Sequence, residues 1–265
     1  MRALTLLYHD VVANGDWRSS GFPGGAADSY KLDREHFAQH LSAVSGVMGR
    51  RATVHDLLSS LSRRESGSGG EDVLLAFDDG GASAAAVADL LEDAGWRGHF
   101  FITTDYIDTP GFVTRAEIRD LHQRGHVIGS HSCSHPERMA SCAWPVLVDE
   151  WRRSTDVLTQ ILGTPVRVAS VPNGSFTRRV AGAATAGGVT ALFTSEPTVE
   201  CRVVDGCLVI GRFGMKRDTP ARTAAALCEG ARGVRLRQQV FWNLKKVAKR
   251  LGGGAYTALR RAVYS

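Results

Sequence analysis

Residues 73–80 read VLLAFDDG, an apolar run that ends in two carboxylates and a glycine. Such a run predicts a buried β-strand, and Asp and Gly favour the turn that follows a strand. Short apolar runs of this kind recur through the first 230 residues of the chain. The predicted strands are 3–7, 73–77, 99–103, 126–129, 167–171, 191–194 and 207–211.

Helical patterns fill the gaps between these strands. Asp33 is a predicted N-cap ahead of apolar residues at positions 37, 41 and 44, and Thr114 with Glu117 predicts a capping box. A longer helix is predicted over residues 145–162. This alternation of strand and helix predicts parallel strands with helices outside, in either a barrel or a doubly wound sheet.

Candidate functional residues follow several of the predicted strands at their carboxyl ends. They are His9, Asp78, Asp79, His131, Pro172 and Arg212. A (β/α) barrel assembles its functional site from the carboxyl ends of several different strands. The pattern therefore favours the barrel over the open sheet.

A second motif, GHVIGSHSCSHP at residues 125–136, contains a His-x3-His pair. Two imidazoles and one carboxylate fill one face of a divalent ion and leave positions for water and substrate. Asp79, His131 and His135 are therefore candidate metal ligands, and Asp78 remains as a candidate general base. Each motif alone also fits a structural role, a turn or a set of core hydrogen bonds. Together they favour a metal-assisted hydrolase.

Charge is spread unevenly along a chain of otherwise ordinary composition. Of its 265 residues 43% are hydrophobic and 22% are charged, and the formal net charge is +5. Residues 231–265 contain nine Lys and Arg and no acid, so residues 1–230 carry a net −4. We predict a barrel domain over residues 1–230 and a basic amphipathic helical tail over residues 231–265. One apolar face of that helix comprises Val240, Leu244, Val247 and Leu251.

The tail allows two interpretations. A basic amphipathic helix is typical of an element that lies on an anionic membrane surface. The alternative is a final helix packed on the barrel, with its cations in water. Nucleic acid is not an expected partner, because the body is acidic and contains no recognition module.

Neither a membrane span nor a signal peptide is predicted. No apolar run is long enough to cross a bilayer, and the first one is too short for a signal-peptide core. We therefore expect a cytoplasmic protein, and the first interpretation of the tail adds peripheral contact at the inner face of the membrane. The five cysteines, odd in number and without a Cys-x-x-Cys pair, are expected to remain thiols.

Four stretches resemble motifs of one family. They are LAFDDG at 75–80, GHVIGSHSCSHP at 125–136, SVPNG at 170–174 and LLYHDV at 6–11. All are similar to the polysaccharide deacetylases, the chitooligosaccharide-deacetylase homology domain of the carbohydrate esterases. The resemblance spans residues 1–215 and implies an α/β fold, a deformed (β/α) barrel of about seven parallel strands with its active site at their carboxyl ends.

The resemblance also implies residue roles. Asp78 becomes the catalytic base. Asp79, His131 and His135 become ligands of a divalent ion, usually zinc and sometimes cobalt or nickel. Asn173 stands where the family has an aromatic residue whose backbone N–H binds the developing oxyanion, and it is the candidate for that donor.

Two further family positions differ in this chain. Ser170 opens the third motif, where the family has an Arg that orients the base. No His follows His135, although the family uses a downstream His to protonate the leaving amine. Arg212 lies near that place, and a guanidinium stabilises charge but is a poor acid. His9 is the candidate acid because imidazole titrates near neutrality, with Asp10 to orient it.

The expected activity is metal-dependent hydrolysis of the acetamide of an N-acetylated sugar, an exopolysaccharide or glycoconjugate precursor, to free amine and acetate. One alternative is a deacetylase or amidohydrolase of a small natural product or another non-sugar amide. A second alternative is a catalytically silent barrel that binds sugar or metal as a scaffold. The two altered positions favour the scaffold, whereas intact Asp78 favours an enzyme.

Overall fold

The structure, a computed structural model, describes residues 1–47, 49–63 and 71–244. The strands are β1 (Ala3–Tyr8), β2 (Val11–Val12), β3 (Leu32–Asp33), β4 (Arg50–Arg51), β5 (Asp72–Phe77), β6 (Gly98–Ile102), β7 (Val127–Ser130), β8 (Val168–Ser170), β9 (Ala191–Phe193), β10 (Arg202–Val204), β11 (Cys207–Ile210) and β12 (Phe213–Gly214). The helices are α1 (Gly25–Asp28), α2 (Arg34–Ser45), α3 (Val54–Ser62), α4 (Ala84–Asp93), α5 (Arg115–Gln123), α6 (Trp144–Leu162), α7 (Arg178–Ala186) and α8 (Ala221–Cys228).

Most of the strands form one curled sheet. Its order is β10-β11-β9-β8-β7-β6-β5-β1-β12, and β4 pairs with the first residues of β5. All of these pairs are parallel except β10 with β11, while β2 and β3 form a separate parallel pair. The sheet is a half-barrel with helices around it, which confirms the predicted α/β deformed barrel. All seven predicted strands are present, as β1, β5 to β9 and β11.

The predicted helix starts are also present. The Asp33 carboxylate accepts a hydrogen bond from the backbone N–H of Glu35 at the start of α2. At the start of α5 the hydroxyl of Thr114 accepts from the N–H of Glu117, whose carboxylate accepts from the N–H of Thr114. These caps satisfy backbone donors that have no partner inside the helix, so they fix where each helix begins.

Side chains along the strands alternate between two apolar clusters. In β5, Val73, Leu75 and Phe77 belong to a cluster beneath the outer helices, whereas Leu74 and Ala76 belong to a second cluster. The second cluster collects side chains from seven different strands, which requires the concave face of a curled sheet. A period of two is the geometry of a pleated strand. The barrel interior is therefore lined by every second residue.

The same alternation aims polar residues into the mouth of the barrel. A residue two positions beyond the last interior side chain of a strand points the same way, but at the rim. The pairs of interior and rim residues are Ala76 and Asp78, Val168 and Ser170, and Ile210 and Arg212. Strand periodicity thus brings three polar side chains from β5, β8 and β11 to one place.

Gly129 in β7 leaves no room for a side chain inside the barrel. A Cβ there would lie 2.6 Å from the ring of Phe101 and 2.9 Å from the carbonyl oxygen of Val168. We expect Gly129→Ala to lower the free energy of unfolding by about 1–3 kcal/mol, since a packed core must shift to admit the methyl group. Urea denaturation measures this change. Gly214→Ala is the matched control, because a Cβ at Gly214 meets nothing within 4 Å, and an equal loss in both variants would contradict the packing argument.

The chain continues past α8 as a helical segment that contacts the barrel. Residues 232–244 are helical, and the guanidinium of Arg235 donates to the carboxylate of Glu71 at 2.9 Å. The division into a barrel of residues 1–230 and a tail stays a prediction, because residues 245–265, including Val247 and Leu251 of its apolar face, lie outside the described residues. Within the described ranges, no helix is long and apolar enough to cross a membrane.

Candidate active site

Asp79, His131 and His135 meet at the carboxyl rim of the barrel. One ligand atom from each lies within 4.8 Å of the other two. Nε2 of His131 is 3.4 Å from Oδ1 of Asp79, and Nε2 of His135 is 3.5 Å from the same oxygen. The structure therefore brings together the three residues predicted as metal ligands.

Left-handed backbone turns make this meeting possible. Strand alternation alone would point Asp79 away from Asp78, but Asp79 has φ 78°. His135 has φ 57° and follows Ser132, which has φ 66°. Non-glycine residues rarely adopt this conformation, and it concentrates at functional sites. Each turn redirects a side chain toward the shared rim.

A backbone hydrogen bond orients the ring of His131. Nδ1 of His131 lies 3.0 Å from the carbonyl oxygen of Ser170, to which its N–H donates, and this directs Nε2 toward Asp79. A backbone carbonyl that fixes the tautomer in this way is typical of metal-binding histidines. A donor set of two imidazoles and a carboxylate suits zinc, cobalt or nickel. The residues present thus fit the divalent ion that the resemblance implies.

The pKa values of the two imidazoles are shifted in opposite directions. Burial, and then the charge of His131 beside it, lowers the pKa of His135 to about 4, so this ring is neutral near pH 7. Burial also lowers the pKa of His131, but the carboxylates of Asp78 and Asp79 outweigh it and raise that pKa above its usual value. The site is therefore rich enough in negative charge to attract a cation at its centre.

Asp78 is held by a fully buried arginine. Nη1 of Arg212 is 2.7 Å from Oδ1 of Asp78, and Nη2 is 2.9 Å from Oδ2. The Ser170 hydroxyl donates to Oδ1 at 3.0 Å and accepts from Nη2 of Arg212 at 2.8 Å. Burial raises the pKa of Asp78, but the adjacent guanidinium outweighs it and holds the pKa below the usual value. Asp78 is therefore an oriented carboxylate.

Arg212 takes the place that the sequence leaves vacant at Ser170. The guanidinium that the third motif was expected to offer to the Asp78 carboxylate comes instead from the residue two positions beyond β11. Nε of Arg212 also donates to the carbonyl oxygen of Thr194 at 2.9 Å. Because four of its five N–H donors make these contacts and none of its surface is exposed, Arg212 positions Asp78 and does not face the substrate. Sequence reasoning placed Arg212 in the site but not against Asp78.

The loop between the two candidate histidine ligands is shaped by Glu150 of α6, which the sequence analysis missed. Its Oε2 accepts from the backbone N–H groups of Cys133 at 2.9 Å and Ser134 at 3.0 Å, and its Oε1 accepts from the Ser134 hydroxyl at 2.6 Å. Glu150 is 9% exposed. A buried carboxylate that receives three donors from one turn fixes the conformation of that turn.

We expect Glu150→Ala to lower zinc affinity by about 10–100-fold, because outer contacts of this kind keep metal ligands in position. Isothermal titration of chelator-stripped protein with zinc measures the effect. The control is Asp149→Ala, which removes the neighbouring acid of α6, a half-exposed carboxylate that bonds to Arg152 and Arg153 within the described part of the chain. Equal affinities in the Glu150 and Asp149 variants would contradict this role.

His9, Asn173 and Asp10 occupy the surrounding wall. His9 is half-buried at the end of β1, its ring centroid is 4.9 Å from that of Tyr30, and its Nδ1 has no hydrogen-bond partner in the described residues. Asn173 follows β8 with φ 54°. Asp10 does not orient His9 as predicted. Its Oδ1 instead accepts from the hydroxyls of Ser20 and Ser83, so Asp10 anchors the following loop.

That loop forms one side of the site. Gly21 N–H donates to the carbonyl of Gly111 at 2.8 Å, and the next residue, Phe22, packs its ring 4.8 Å from that of His135. On another side, the ring of Trp242 from the C-terminal helical segment lies against Gly174. Neither aromatic residue was among the predicted site residues, because only the tertiary fold brings them to the rim.

Comparison with known families identifies the domain. Residues 66–192 match the family model described as polysaccharide deacetylase. Over that range the chain is a polysaccharide deacetylase domain. A comparison of this chain with curated proteins gave no match.

Solved structures share the fold of this chain. The deacetylase PplD of Streptococcus pyogenes, in complex with acetate, has a TM-score of 0.70 and 16% identity, over 84% of this chain and 96% of that one. IcaB from Ammonifex degensii has a TM-score of 0.71 and 22% identity, over 86% and 97%. A de-N-acetylase from Aggregatibacter actinomycetemcomitans has a TM-score of 0.69 and 19% identity, over 83% and 97%.

Proposed function

We propose that this chain is a metal-dependent N-deacetylase that hydrolyses the acetamide of an N-acetylated sugar, in an exopolysaccharide or glycoconjugate precursor. One observation carries the proposal. A candidate three-residue metal site lies beside a second carboxylate, Asp78, with Nε2 of His131 3.8 Å from its Oδ2. A site that only bound metal would not need a separate buried carboxylate held by its own arginine. The arrangement suits a base placed next to an ion.

The metal would be held by Asp79, His131 and His135, and zinc is the proposed ion, with cobalt and nickel as substitutes. When bound, such an ion supplies Lewis acidity, which lowers the pKa of water and polarises an acetyl oxygen. Asp79 remains ionised for this role because nearby histidines, led by the hydrogen bond from His131, outweigh burial and hold its pKa well below the usual range. The neutral His135 side chain offers its lone pair directly.

The chain's own residues would move the protons. Asp78, ionised and oriented by Arg212, accepts the proton of the attacking water. The backbone N–H of Asn173 donates to the oxyanion that develops on the acetyl carbonyl. His9 is the residue that donates a proton to the departing amine, and its Nδ1 has no hydrogen-bond partner among the described residues. The roles of His9 and Asn173 are proposals, and Arg212 serves as the positioning residue.

The silent-scaffold alternative loses one of its two arguments. It rested on the absent third-motif arginine and the absent downstream histidine, and Arg212 now supplies a guanidinium to Asp78. Hydrolysis of a non-sugar amide remains the second candidate. The residues with proposed roles act on the amide itself, and none of them is assigned to the group attached to the amide nitrogen.

Acetate release tests the proposal and its alternative together. Zinc-loaded protein would be incubated with free, oligomeric, nucleotide-linked and lipid-linked N-acetylhexosamines, and with non-sugar acetamides. Zinc-dependent acetate from one of the sugars supports the deacetylase. Acetate from the non-sugar acetamides alone would move the assignment to an amidohydrolase. No acetate from any substrate, at one bound zinc per chain, would favour the scaffold.

We further propose that the enzyme works in the cytoplasm.

A further inference from the structure

The C-terminal helical segment, residues 232–244, carries an exposed apolar stripe. Its members are Leu236 at 59% exposure, Val240 at 47%, Phe241 at 54% and Leu244 at 60%. Three of them are spaced by four residues and so lie on one side of a helix. Four large apolar side chains this exposed on one helix mark an interaction surface.

The opposite side of the same segment is docked on the barrel. Arg235 donates to Glu71 and to the carbonyl of Leu227, and Gln238 Nε2 lies 3.5 Å from the carbonyl oxygen of Gly214. Trp242, one helical turn further on, packs against Gly174, where an added Cβ would lie 2.5 Å from its Cη2 atom. The segment is therefore held by one face, which leaves the apolar stripe directed outward.

The charge around the stripe identifies its partner. Arg232 and Arg237 are exposed, and the guanidinium carbon of Arg237 lies 5.8 Å from the ring centroid of Phe241. In sequence, residues 231–265 contain nine cations and no acid. Two copies of so cationic a surface repel each other, whereas an anionic bilayer attracts the cations and accepts the apolar side chains.

We infer that the stripe of Leu236, Val240, Phe241 and Leu244 docks the protein on an anionic membrane surface. This develops the first interpretation of the basic tail and does not depend on the proposed activity. Gly174, which Trp242 contacts, follows Asn173 at the mouth of the candidate site. Docking through this segment therefore places the mouth near the bilayer, within reach of a substrate carried on lipid.

Vesicle sedimentation tests the docking directly. Full-length protein is mixed with phosphatidylcholine vesicles that contain about 30% phosphatidylglycerol, and with pure phosphatidylcholine vesicles. Wild type is expected to sediment with the anionic vesicles, and salt is expected to weaken this binding. The double variant Leu236→Asp/Leu244→Asp is expected to partition at least about tenfold less. Val203→Asp, at a site 58% exposed in β10, is the matched control and should bind like wild type.

Three results would overturn the inference. The first is a wild type that does not bind anionic vesicles. The second is a loss of binding in the Val203→Asp control as large as the loss in the double variant. The third is a dimer that size-exclusion chromatography detects in wild type and not in the double variant, which would make a second copy the partner. Acetate release from a soluble substrate should be unchanged in the double variant, so failure of docking and failure of the proposed function are distinguishable.

Discussion

Asp78→Asn is expected to lower kcat for acetate release by about 10²–10⁴-fold, the usual contribution of a general base. An amide cannot accept the proton of the attacking water at this position. Metal binding should persist, because the three candidate ligands are Asp79, His131 and His135. Steady-state kinetics and metal analysis of the same preparation give both quantities.

The control for this prediction is the neighbouring carboxylate. Asp79→Asn should lose activity and zinc together, because it removes a proposed ligand. Asp78→Asn should lose activity alone. Retention of activity within tenfold of wild type in Asp78→Asn would contradict the assignment of the base. Loss of zinc in that variant would place Asp78 among the ligands.

Arg212→Ala is expected to impair both folding stability and activity. The substitution leaves the Asp78 carboxylate, 4% exposed, without its bidentate partner. Removing one partner of a buried ion pair costs about 3–5 kcal/mol of unfolding free energy. Urea denaturation at neutral pH measures the stability change, and acetate release measures the activity.

The pH profile separates positioning from simple loss of structure. Arg212 holds the pKa of Asp78 below its usual value, so the carboxylate stabilises the fold above its unfolded pKa, and this stability is lost as pH falls through the folded pKa. Without Arg212 the folded pKa rises. The acid limb of kcat/KM is therefore expected to move to higher pH in Arg212→Ala.

Conservative variants keep this prediction testable if Arg212→Ala does not fold. Arg212→Lys retains the positive charge but not the two-pronged contact, so its acid limb should move less. Ser170→Ala removes only a neutral hydrogen bond to Asp78 and should cost about 0.5–1.5 kcal/mol of stability. An acid limb that stays in place in both Arg212 variants would contradict a role in setting the pKa of Asp78.

Local pattern was enough to predict seven strands of the large sheet and the candidate metal-binding cluster. The apolar run at residues 73–77 became β5, and the following Asp-Asp-Gly became a left-handed turn that aims Asp79 at the rim. His131 and His135 share one short loop, so their proximity follows from sequence spacing. Parallel strands place their carboxyl ends together, which brings this loop to Asp79.

The remaining contacts depend on tertiary packing across long sequence separations. Arg212 and Asp78 are 134 residues apart, and only the curvature of the sheet brings β11 opposite β5. One signal was present, because Arg212 continues the interior alternation of Leu208 and Ile210. No sequence signal pointed to Glu150, because a carboxylate in an amphipathic helix is usually solvated. Short strands such as β12 were missed because two residues show no periodicity.

Acetate release during zinc add-back is the most direct test of the central claim. Protein stripped by a chelator would be titrated with zinc, in the presence of the best N-acetylated sugar, and compared with His131→Ala treated in the same way. Activity is predicted to be absent before addition, to rise in proportion to zinc, and to saturate at one ion per chain, with no recovery in His131→Ala. Full acetate release from stripped protein, or equal recovery in the variant, would contradict a metal-dependent deacetylase at this site.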